Sequence, residues 1–359
     1  MLKKSAACLR IFYFWYMEKF LIFGVIVGFS SFGTAQELKM DILLEGNVNI
    51  RAIELYDNKV FYVSSPSEFG YVSLINKNDK KKVSLSEEKL AFRTLGQDKT
   101  SFYTISLESP AYFYKISKTD FSYQVIYSDT VKSAFYDALH FYNEKNALTF
   151  SDPEDDYKIK LLKWQKNSWQ RIVYPPTEEN STLAKGEAAF AASNSNIASK
   201  GKWIWVATGG AESNVYRLCR KNPLKIKKYK TPIVQGESSQ GAYSIDFYDS
   251  KNGIIAGGDY TKPEQNFNNI ATTKDGGKTW QIQASGQNAG YNTQVAYNPY
   301  KKGKEIVAIG DYHISLSQDG GKTWKKLSSE KGFFTVKWLN EKTLVLAGKN
   351  KIVKAEIRY

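Results

Sequence analysis

Three aspartates follow short apolar runs in this sequence, and their carboxyl groups are well placed to do chemistry. They are Asp152, Asp259 and Asp311, and tyrosine directly follows the last two, as Tyr260 and Tyr312. A retaining or inverting glycosidase needs two carboxyl groups at a suitable separation, one as acid and the other as base or nucleophile. The three aspartates are therefore the candidate catalytic residues. Aspartate after a strand is also ordinary turn chemistry, so both interpretations stay open.

A fourth loop of the same kind follows another apolar run and contains two consecutive glycines. Loops at equivalent places in a repeated fold gather at one face, where they commonly carry binding residues. Their aspartates and tyrosines would form a polar pocket with an aromatic rim. The candidate binding residues are Asp152, Thr208, Gly209, Gly210, Asp259, Tyr260, Asp311 and Tyr312.

The sequence gives no support for redox or metal chemistry. No Gly-x-Gly-x-x-Gly follows a strand, and no Cys/His set has haem or iron–sulfur spacing. His140 and His313 are the only histidines, and a lone histidine in a strand or loop is usually packed or solvated. We therefore expect no cofactor and no metal. Calcium near Asp152, Asp155 and Asp156 stays an alternative because carboxylate oxygens are suitable ligands.

The candidate residues must be positioned by short segments in which apolar and polar residues alternate. Turns rich in Asn, Asp, Gly and Lys separate these segments, and this pattern predicts strands and hairpins. One octapeptide occurs twice, at residues 273–280 and 317–324. In each copy the aspartate can accept backbone N–H groups, the glycines permit positive φ, and the tryptophan returns to bury its ring. The octapeptide resembles the Asp-box, or BNR repeat, of sialidase-type β-propellers. Its structural positions are Thr273, Asp275, Gly277, Trp280, Ser317, Asp319, Gly321 and Trp324.

When the rest of the chain is aligned to these two copies, it divides into similar units. We therefore expect an all-β, seven-bladed, sialidase-like β-propeller. The last unit has room for only three strands, whereas residues 40–44 form a spare strand. Pairing the two would close the ring and remove its open edges. The predicted first strands begin near Asn49, Leu90, Ser133, Glu187, Tyr243, Asn292 and Phe333.

The N-terminus has the features of a secretory signal peptide. A charged start at residues 17–19 precedes a ten-residue apolar core and a small-residue end at Ala35. We expect a leader at residues 1–35, with Met17 as a candidate true start, and a single propeller domain at residues 37–359. An uncleaved anchor is the alternative. The mature protein would be exported to the periplasm or the extracellular space, without a transmembrane segment.

From about residue 134 onward the chain resembles a family of exported bacterial propellers related to the photosystem II stability/assembly factor. The resemblance rests on residues 135–138, 151–153, 208–211 and 257–263 together with both octapeptides. Members often have an oxidoreductase or glycosyl hydrolase label, and no cofactor motif here supports the first. The photosynthetic relatives act as assembly scaffolds, but nothing in this sequence is specific for photosystem binding.

Two functions follow as alternatives. The first is a non-catalytic propeller that binds a protein or glycan at its loop face, as an assembly or scaffold factor of the cell envelope. The second is a glycan-active hydrolase that uses aspartates of the same face. Sialidase chemistry needs an arginine triad, and only Arg51 and Arg93 lie near first strands. The net charge of +14 comes from scattered lysines, so we expect no nucleic-acid partner, and we expect a monomer.

Overall fold

The computed structural model describes residues 37–359, and the predicted leader at residues 1–35 lies outside this part of the chain. Its elements are strands, apart from one turn of 3-10 helix at Glu179–Ser181. The prediction of an all-β protein is confirmed. No helix within residues 37–359 has the length and apolar character that crossing a membrane requires.

The strands are short and alternate with tight turns, as the two-residue periodicity predicts. The first twelve are β1 (Glu37–Tyr56), β2 (Lys59–Ser64), β3 (Glu68–Ser73), β4 (Lys80–Ser84), β5 (Gly96–Gln97), β6 (Ser101–Ile105), β7 (Ala111–Ser117), β8 (Tyr123–Asp129), β9 (Tyr136–Asn143), β10 (Asn146–Ser151), β11 (Lys160–Gln165) and β12 (Ser168–Arg171). The rest are β13 (Glu187–Ala188), β14 (Ile197–Lys200), β15 (Trp203–Ala207), β16 (Gly209–Gly210), β17 (Asn214–Cys219), β18 (Asn222–Lys230), β19 (Gln240–Phe247), β20 (Gly253–Asp259), β21 (Ile270–Thr273), β22 (Gln281–Ile282), β23 (Gln294–Tyr297), β24 (Ile306–Gly310), β25 (His313–Ser317), β26 (Lys325–Ser328), β27 (Phe333–Trp338) and β28 (Thr343–Arg358).

Hydrogen bonds group these strands into six antiparallel sheets arranged as a β-propeller. Four sheets are four-stranded: β5 to β8, β9 to β12, β14-β15-β17-β18, and β23 to β26. A six-stranded sheet joins β19 to β22 with the short strands β13 and β16, and another has the order β27-β28-β1-β2-β3-β4. The innermost strands of neighbouring sheets, such as β9 and β14 or β19 and β23, lie next to one another.

The predicted count of seven blades is corrected, because the structure has six hydrogen-bonded sheets. The difference lies in strand β1, which has 20 residues. Its first part pairs with β28 and its second part pairs with β2, so the units predicted as the first and last blades form one sheet. The pairing with β28 has a register shift between Glu45 and Asn49, and β2 becomes the partner from Ile50 onward.

The predicted pairing of the N-terminal strand with the last unit is present. Glu37 lies opposite Arg358 and Met40 lies opposite Ala355, so the strand that begins the described chain pairs with the strand that ends it. Leu43 is 5% exposed and packs in the adjoining core. Because this pairing covers both free edges, the ring has no open sheet edge at its junction.

The hydrophobic core lies between neighbouring sheets and not within a single layer. Trp205 of β15 is fully buried, and its ring stacks on Phe247 of β19 with centroids 3.6 Å apart and planes 9° apart. Comparable apolar clusters separate the other sheets, such as the one in which Phe333 of β27 packs near Leu316 of β25. Each blade is therefore stabilised by its neighbours, as in other repeat architectures.

The two octapeptides form hairpins with the same hydrogen bonds. Asp275 Oδ1 accepts the backbone N–H groups of Lys278 at 2.9 Å and Thr279 at 3.0 Å, and its Oδ2 accepts the Thr279 hydroxyl at 2.7 Å. Thr273 Oγ1 accepts the N–H of Gly277 at 3.0 Å.

The second octapeptide repeats this set, with Asp319 Oδ1 accepting the N–H groups of Lys322 and Thr323 at 3.0 and 2.9 Å. The predicted role of the aspartates is thus confirmed. The predicted burial of the tryptophan rings is present in part, because Trp280 and Trp324 are partly buried and pack against the neighbouring apolar clusters.

Candidate functional site

A segment that connects two neighbouring sheets occupies the centre of the ring. Residues 189–196, here called the channel insert, separate β13 from β14. The insert is held by innermost strands from several blades. Asn194 Nδ2 donates to Leu95 O at 2.7 Å, and Asn194 Oδ1 accepts the N–H of Leu139 at 2.7 Å. A segment that contacts strands on opposite sides of the ring must lie on its axis.

The serines of the insert make the contacts on the other side of the ring. Ser193 Oγ donates to Thr293 O at 2.7 Å, and Ser195 Oγ donates to Ser244 Oγ at 2.8 Å. Ser195 O accepts the N–H of Ile245 at 2.9 Å. The insert therefore closes the central channel and leaves a separate cavity on each side of it.

The cavity on the loop side, here called the central cavity, has a volume of about 300 Å³. Its walls are formed by the loops that follow β20 and β24, by the beginnings of the innermost strands, and by Ala189 to Ala192 of the insert. Its charged and aromatic lining residues are Arg51, Arg93, Phe135, Asp137, Phe190, Tyr243, Tyr260, Tyr291 and Asp311. A concave site with aromatic walls and a few convergent polar groups is the usual form of a ligand pocket.

Two arginines face this cavity from neighbouring blades. Arg51 donates from Nη1 to Ala192 O at 3.3 Å, and Arg93 donates from Nη1 to Ala191 O at 3.4 Å. The Arg51 guanidinium lies over the Phe334 ring, 3.6 Å from its centroid. Burial, with the nearby Arg93 charge, lowers the pKa of Arg51 to about 10. Within residues 37–359 neither arginine forms a salt bridge.

Two aspartates contribute carboxyl groups to the same cavity. Burial raises the pKa of Asp311, and the Arg51 charge opposes this rise. Asp137 of β9 is completely buried; neither carboxyl oxygen has a hydrogen bond of good geometry, and the backbone N–H of Ala191 interacts with the carboxyl group. Burial and then the neighbouring Asp152 carboxyl raise the pKa of Asp137 well above its usual range, whereas Arg93 opposes the rise.

A second cavity of about 620 Å³ adjoins the first on the same face. Phe135 and Phe190 line both cavities. Asp152 lies here, and burial raises its pKa to about 6. Gly209 and Gly210 also line it, and these two glycines have a packing role.

A Cβ atom on Gly209 would lie 2.5 Å from the Phe190 ring, and one on Gly210 would lie 2.2 Å from Gly186 O. The two glycines are therefore needed because backbone and ring approach closely at this point.

The structure brings only some of the predicted site residues together. Tyr260 and Asp311 line the central cavity, and Asp152 lines the adjoining one. Tyr312 is exposed, and Lys331 Nζ lies 4.7 Å from its ring centroid. Five of the eight predicted binding residues, with Gly209 and Gly210 among them, thus line one of the two cavities, and their role in binding stays a prediction.

Two predicted site residues have structural roles. Asp259 Oδ1 accepts the N–H and the hydroxyl of Thr261 at 2.9 and 2.6 Å, so it closes a turn. Although burial opposes it, these hydrogen bonds lower the pKa of Asp259. Thr208 is buried and donates to Glu187 Oε1 at 2.6 Å. Asp259 is thus an ionised turn residue and a poor proton donor.

The residues that the sequence did not assign to the site are mostly at the beginnings of first strands. Arg51, Arg93 and Asp137 follow the predicted strand starts by two, three and four positions. Tyr243 is itself a predicted start, and Tyr291 precedes one. Because all first strands line the axis, comparison of these equivalent positions could have identified the cavity residues.

No family model matches this sequence, and no curated protein matches it. Many solved structures are similar in fold, among them the following three. "YCF48 bound to D1 peptide" is 11% identical, with 90% of this chain and 95% of that chain covered and a TM-score of 0.62. "Streptogramin B lyase structure" is 12% identical, with 89% and 98% covered and a TM-score of 0.66. "YCF48 from Cyanidioschyzon merolae" is 11% identical, with 89% and 98% covered and a TM-score of 0.62. At these identities the likeness shows the β-propeller fold alone.

Proposed function

We propose that this chain is an exported, non-catalytic β-propeller that binds an anionic segment of a protein partner in its central cavity. The observation that supports this most directly is the pair Arg51 and Arg93, which face one cavity without a salt bridge to any described residue. Guanidinium groups bind carboxylates through two parallel hydrogen bonds, and they are favoured at buried recognition sites.

The electrostatics of the central cavity support an anionic ligand. Burial of the Arg51 guanidinium, followed by the like charge of Arg93, lowers the pKa of Arg51 to about 10, so both effects disfavour the two cations in this cavity. An anion between Arg51 and Arg93 would remove the repulsion and compensate for burial. Asp311 lies near Arg51 and offsets part of this charge, and burial raises the pKa of Asp311.

The remaining walls suit a peptide. Phe190, Tyr243, Tyr260 and Tyr291 supply apolar faces beside the arginines, and a cavity of about 300 Å³ accommodates one or two side chains of a longer segment. The similar structure entitled "YCF48 bound to D1 peptide" holds a peptide on the same fold. A peptide-binding scaffold of the cell envelope agrees with both observations and with the secretory features of residues 1–35.

A capture experiment from envelope extract tests the proposal. Wild-type protein is compared with the double variant Arg51→Met/Arg93→Met, which keeps the apolar stems and removes both charges. We expect partners that the wild type retains and the double variant loses, provided that both proteins melt at similar temperatures. Equal recovery of every partner by the two proteins would contradict the proposal. Acidic glycans added as competitors separate a glycan partner from a protein one.

The alternative is a glycan-active hydrolase, and one observation favours it. Asp137 and Asp152 are neighbouring carboxyl groups with raised pKa values, and such a pair supplies acid–base chemistry in glycosidases. Asp259, by contrast, accepts the N–H of Thr261 and closes a turn. A screen against chromogenic glycosides decides between the functions. Turnover that disappears in both Asp137→Asn and Asp152→Asn would replace the binding proposal.

A further inference from the structure

A cleft of about 480 Å³, here called the turn-side cleft, lies between two neighbouring sheets, β9 to β12 and β14-β15-β17-β18. Asn143 and Asn146, which flank the turn between β9 and β10, line it. Asp137, which lines the central cavity, lies near the opposite end of β9. The turn-side cleft is therefore a different site from the central cavity.

Four cationic side chains and no carboxyl group line the turn-side cleft. The cations are Lys163 of β11, Lys202 of the turn between β14 and β15, and Arg220 and Lys221 of the turn between β17 and β18. None of the four forms a salt bridge with any described residue. Glu144 lies in the turn between β9 and β10, but it does not line the cleft. Such a concentration of one charge in a concave site attracts anions.

The guanidinium group of Arg220 has no protein acceptor among the described residues. Its Nε is buried without a partner, whereas its Nη groups are neither buried nor hydrogen-bonded to protein. A guanidinium group has five N–H donors, and unmade hydrogen bonds in a partly buried position are unfavourable. Each of the other arginines of the described chain donates to a carbonyl or hydroxyl group or pairs with a carboxylate, namely Arg51, Arg93, Arg171, Arg217 and Arg358.

The position of Arg220 is nevertheless fixed. Its guanidinium carbon lies 5.3 Å from the centroid of the Tyr142 ring, and its backbone N–H donates to Lys202 O at 2.9 Å. A contact with an aromatic ring holds a guanidinium group without giving its N–H groups an oxygen acceptor. The Nη groups of Arg220 are thus held at the cleft, where a ligand can reach them.

The uncharged lining groups suit a sugar. Asn143 Oδ1 accepts the N–H of Lys145 and the side-chain amide of Asn146 at 2.9 and 3.0 Å, so the Asn143 amide is oriented by its own turn. Gln165 and Tyr142 add a second amide and a phenol hydroxyl to the lining. Amide and hydroxyl groups both donate and accept hydrogen bonds, as sugar hydroxyls require. A volume of about 480 Å³ exceeds what a phosphate group alone needs.

We infer that the turn-side cleft binds a phosphate group carried by a sugar, at a site independent of the central cavity. A phosphate monoester has a charge of about −2 at neutral pH and three strong acceptor oxygens. A guanidinium group binds two such oxygens through parallel hydrogen bonds. Arg220 is the principal ligand of the phosphate, the three lysines add attraction, and Asn143 contacts the sugar.

The first test measures binding of glucose 6-phosphate, glucose and inorganic phosphate by ligand NMR. Wild-type protein should bind glucose 6-phosphate about tenfold more tightly than either part alone, and Arg220→Met should weaken this binding about tenfold or more. Lys145→Met is the matched control, because it removes an exposed cation from the turn beside Asn143 without changing the cleft lining. The control should bind as the wild type.

The second test needs no ligand. Arg220→Met should melt at or above the wild-type temperature, because no protein acceptor loses its donor. If this variant melts lower, the exposed pair Lys202→Met/Lys221→Met decides instead. An affinity loss of about tenfold in that stable pair supports the inference, and wild-type affinity overturns it.

Three further outcomes would overturn the inference. They are equal binding of inorganic phosphate and glucose 6-phosphate, equal losses in Arg220→Met and Lys145→Met, and tighter, Arg220-dependent binding of a thymidine oligonucleotide, which would indicate a nucleic-acid site. The variant Arg51→Met/Arg93→Met should keep wild-type affinity for glucose 6-phosphate, and Arg220→Met should keep the partners captured from envelope extract. Failure at one site is therefore distinguishable from failure at the other.

Discussion

The ring of Phe190 lies flat against the ring of Tyr243, with centroids 3.8 Å apart and planes 3° apart. Phe190 belongs to the channel insert, and Tyr243 belongs to the innermost strand β19 of the next blade. Tyr243 is in turn fixed by its hydroxyl, which donates to Ser239 O at 2.7 Å. One stacked pair thus connects the insert to the wall of the central cavity.

Replacing Phe190 by alanine should loosen the insert. We expect a loss of about 1–3 kcal/mol in the free energy of unfolding, since the ring is partly buried and the stacked pair contributes beyond its area. Amide hydrogen exchange should rise at residues 189–196 and at Gly209, which packs on this ring. Unchanged exchange there in Phe190→Ala would show that the serine and asparagine contacts hold the insert alone.

Asp152→Asn should stabilise the protein at neutral pH. Burial raises the pKa of Asp152 from 3.8 to about 6, so the folded state binds more protons than the unfolded state in this window and stability falls as pH rises through it. Because asparagine does not ionise, the substitution should increase the free energy of unfolding by about 1–3 kcal/mol at pH 7.5. The gain should vanish near pH 3.5, where both states are protonated. Thermal melts at the two pH values measure this, and a less stable variant at pH 7.5 would contradict the assignment.

Asp275 should show the opposite pH dependence. Although burial opposes it, the hydrogen bonds from Thr279 and neighbouring backbone groups lower the pKa of Asp275 to about 2. Its contribution to stability is complete above the unfolded value and is lost as the pH falls through about 2. Asp275→Ala should reduce the free energy of unfolding by about 1–3 kcal/mol at pH 7, because several N–H groups lose their acceptor.

Asp319→Ala is the matched comparison, because the same bonds recur in the second octapeptide. The two variants should lose similar stability, measured by denaturant unfolding at pH 7. A loss below about 0.5 kcal/mol in both would show that the octapeptide hairpins are closed by other contacts.

The N-terminal part of β1, which pairs with β28, gives a fourth prediction. A protein beginning at residue 46 lacks the partner of β28, whereas one beginning at Glu37 keeps it. We expect the shorter protein to lose roughly 3–6 kcal/mol, from the missing strand pairs and from Leu43. The exposed edge of β28 should also promote association. Melting temperature and light scattering test both effects. Equal melting of the two proteins would show that the ring does not depend on this strand.

Local repetition made much of the fold predictable. Turn residues, alternation and two copies of one octapeptide were enough to predict the propeller, the hairpin hydrogen bonds and the N-terminal pairing. The number of sheets was not predictable in the same way. Alternation marks strands but does not show that β1 passes from one partner to another without a break, and this continuity merges the first and last units.

The site was predicted less well, since turn chemistry and ligand chemistry use the same residue types. Asp259 and Asp311 have the same sequence context, yet one closes a turn and the other faces the cavity. The channel insert was missed because its alanines, serines and asparagines have no periodicity. Asp137 was missed because a single aspartate in an apolar strand gives no local sign that it faces an axis formed by distant strands.

The most direct test of the account is equilibrium binding of defined peptide pools to the purified protein. One pool ends in free carboxylates, the other has the same sequences with amidated ends, and internal acidic residues are absent from both. Wild-type protein should bind members of the first pool at least tenfold more tightly than their amides, and Arg51→Met/Arg93→Met should abolish this difference. Equal binding of both pools by the wild type, or a preference that survives the double substitution, would contradict the claim that the paired arginines recognise an anion.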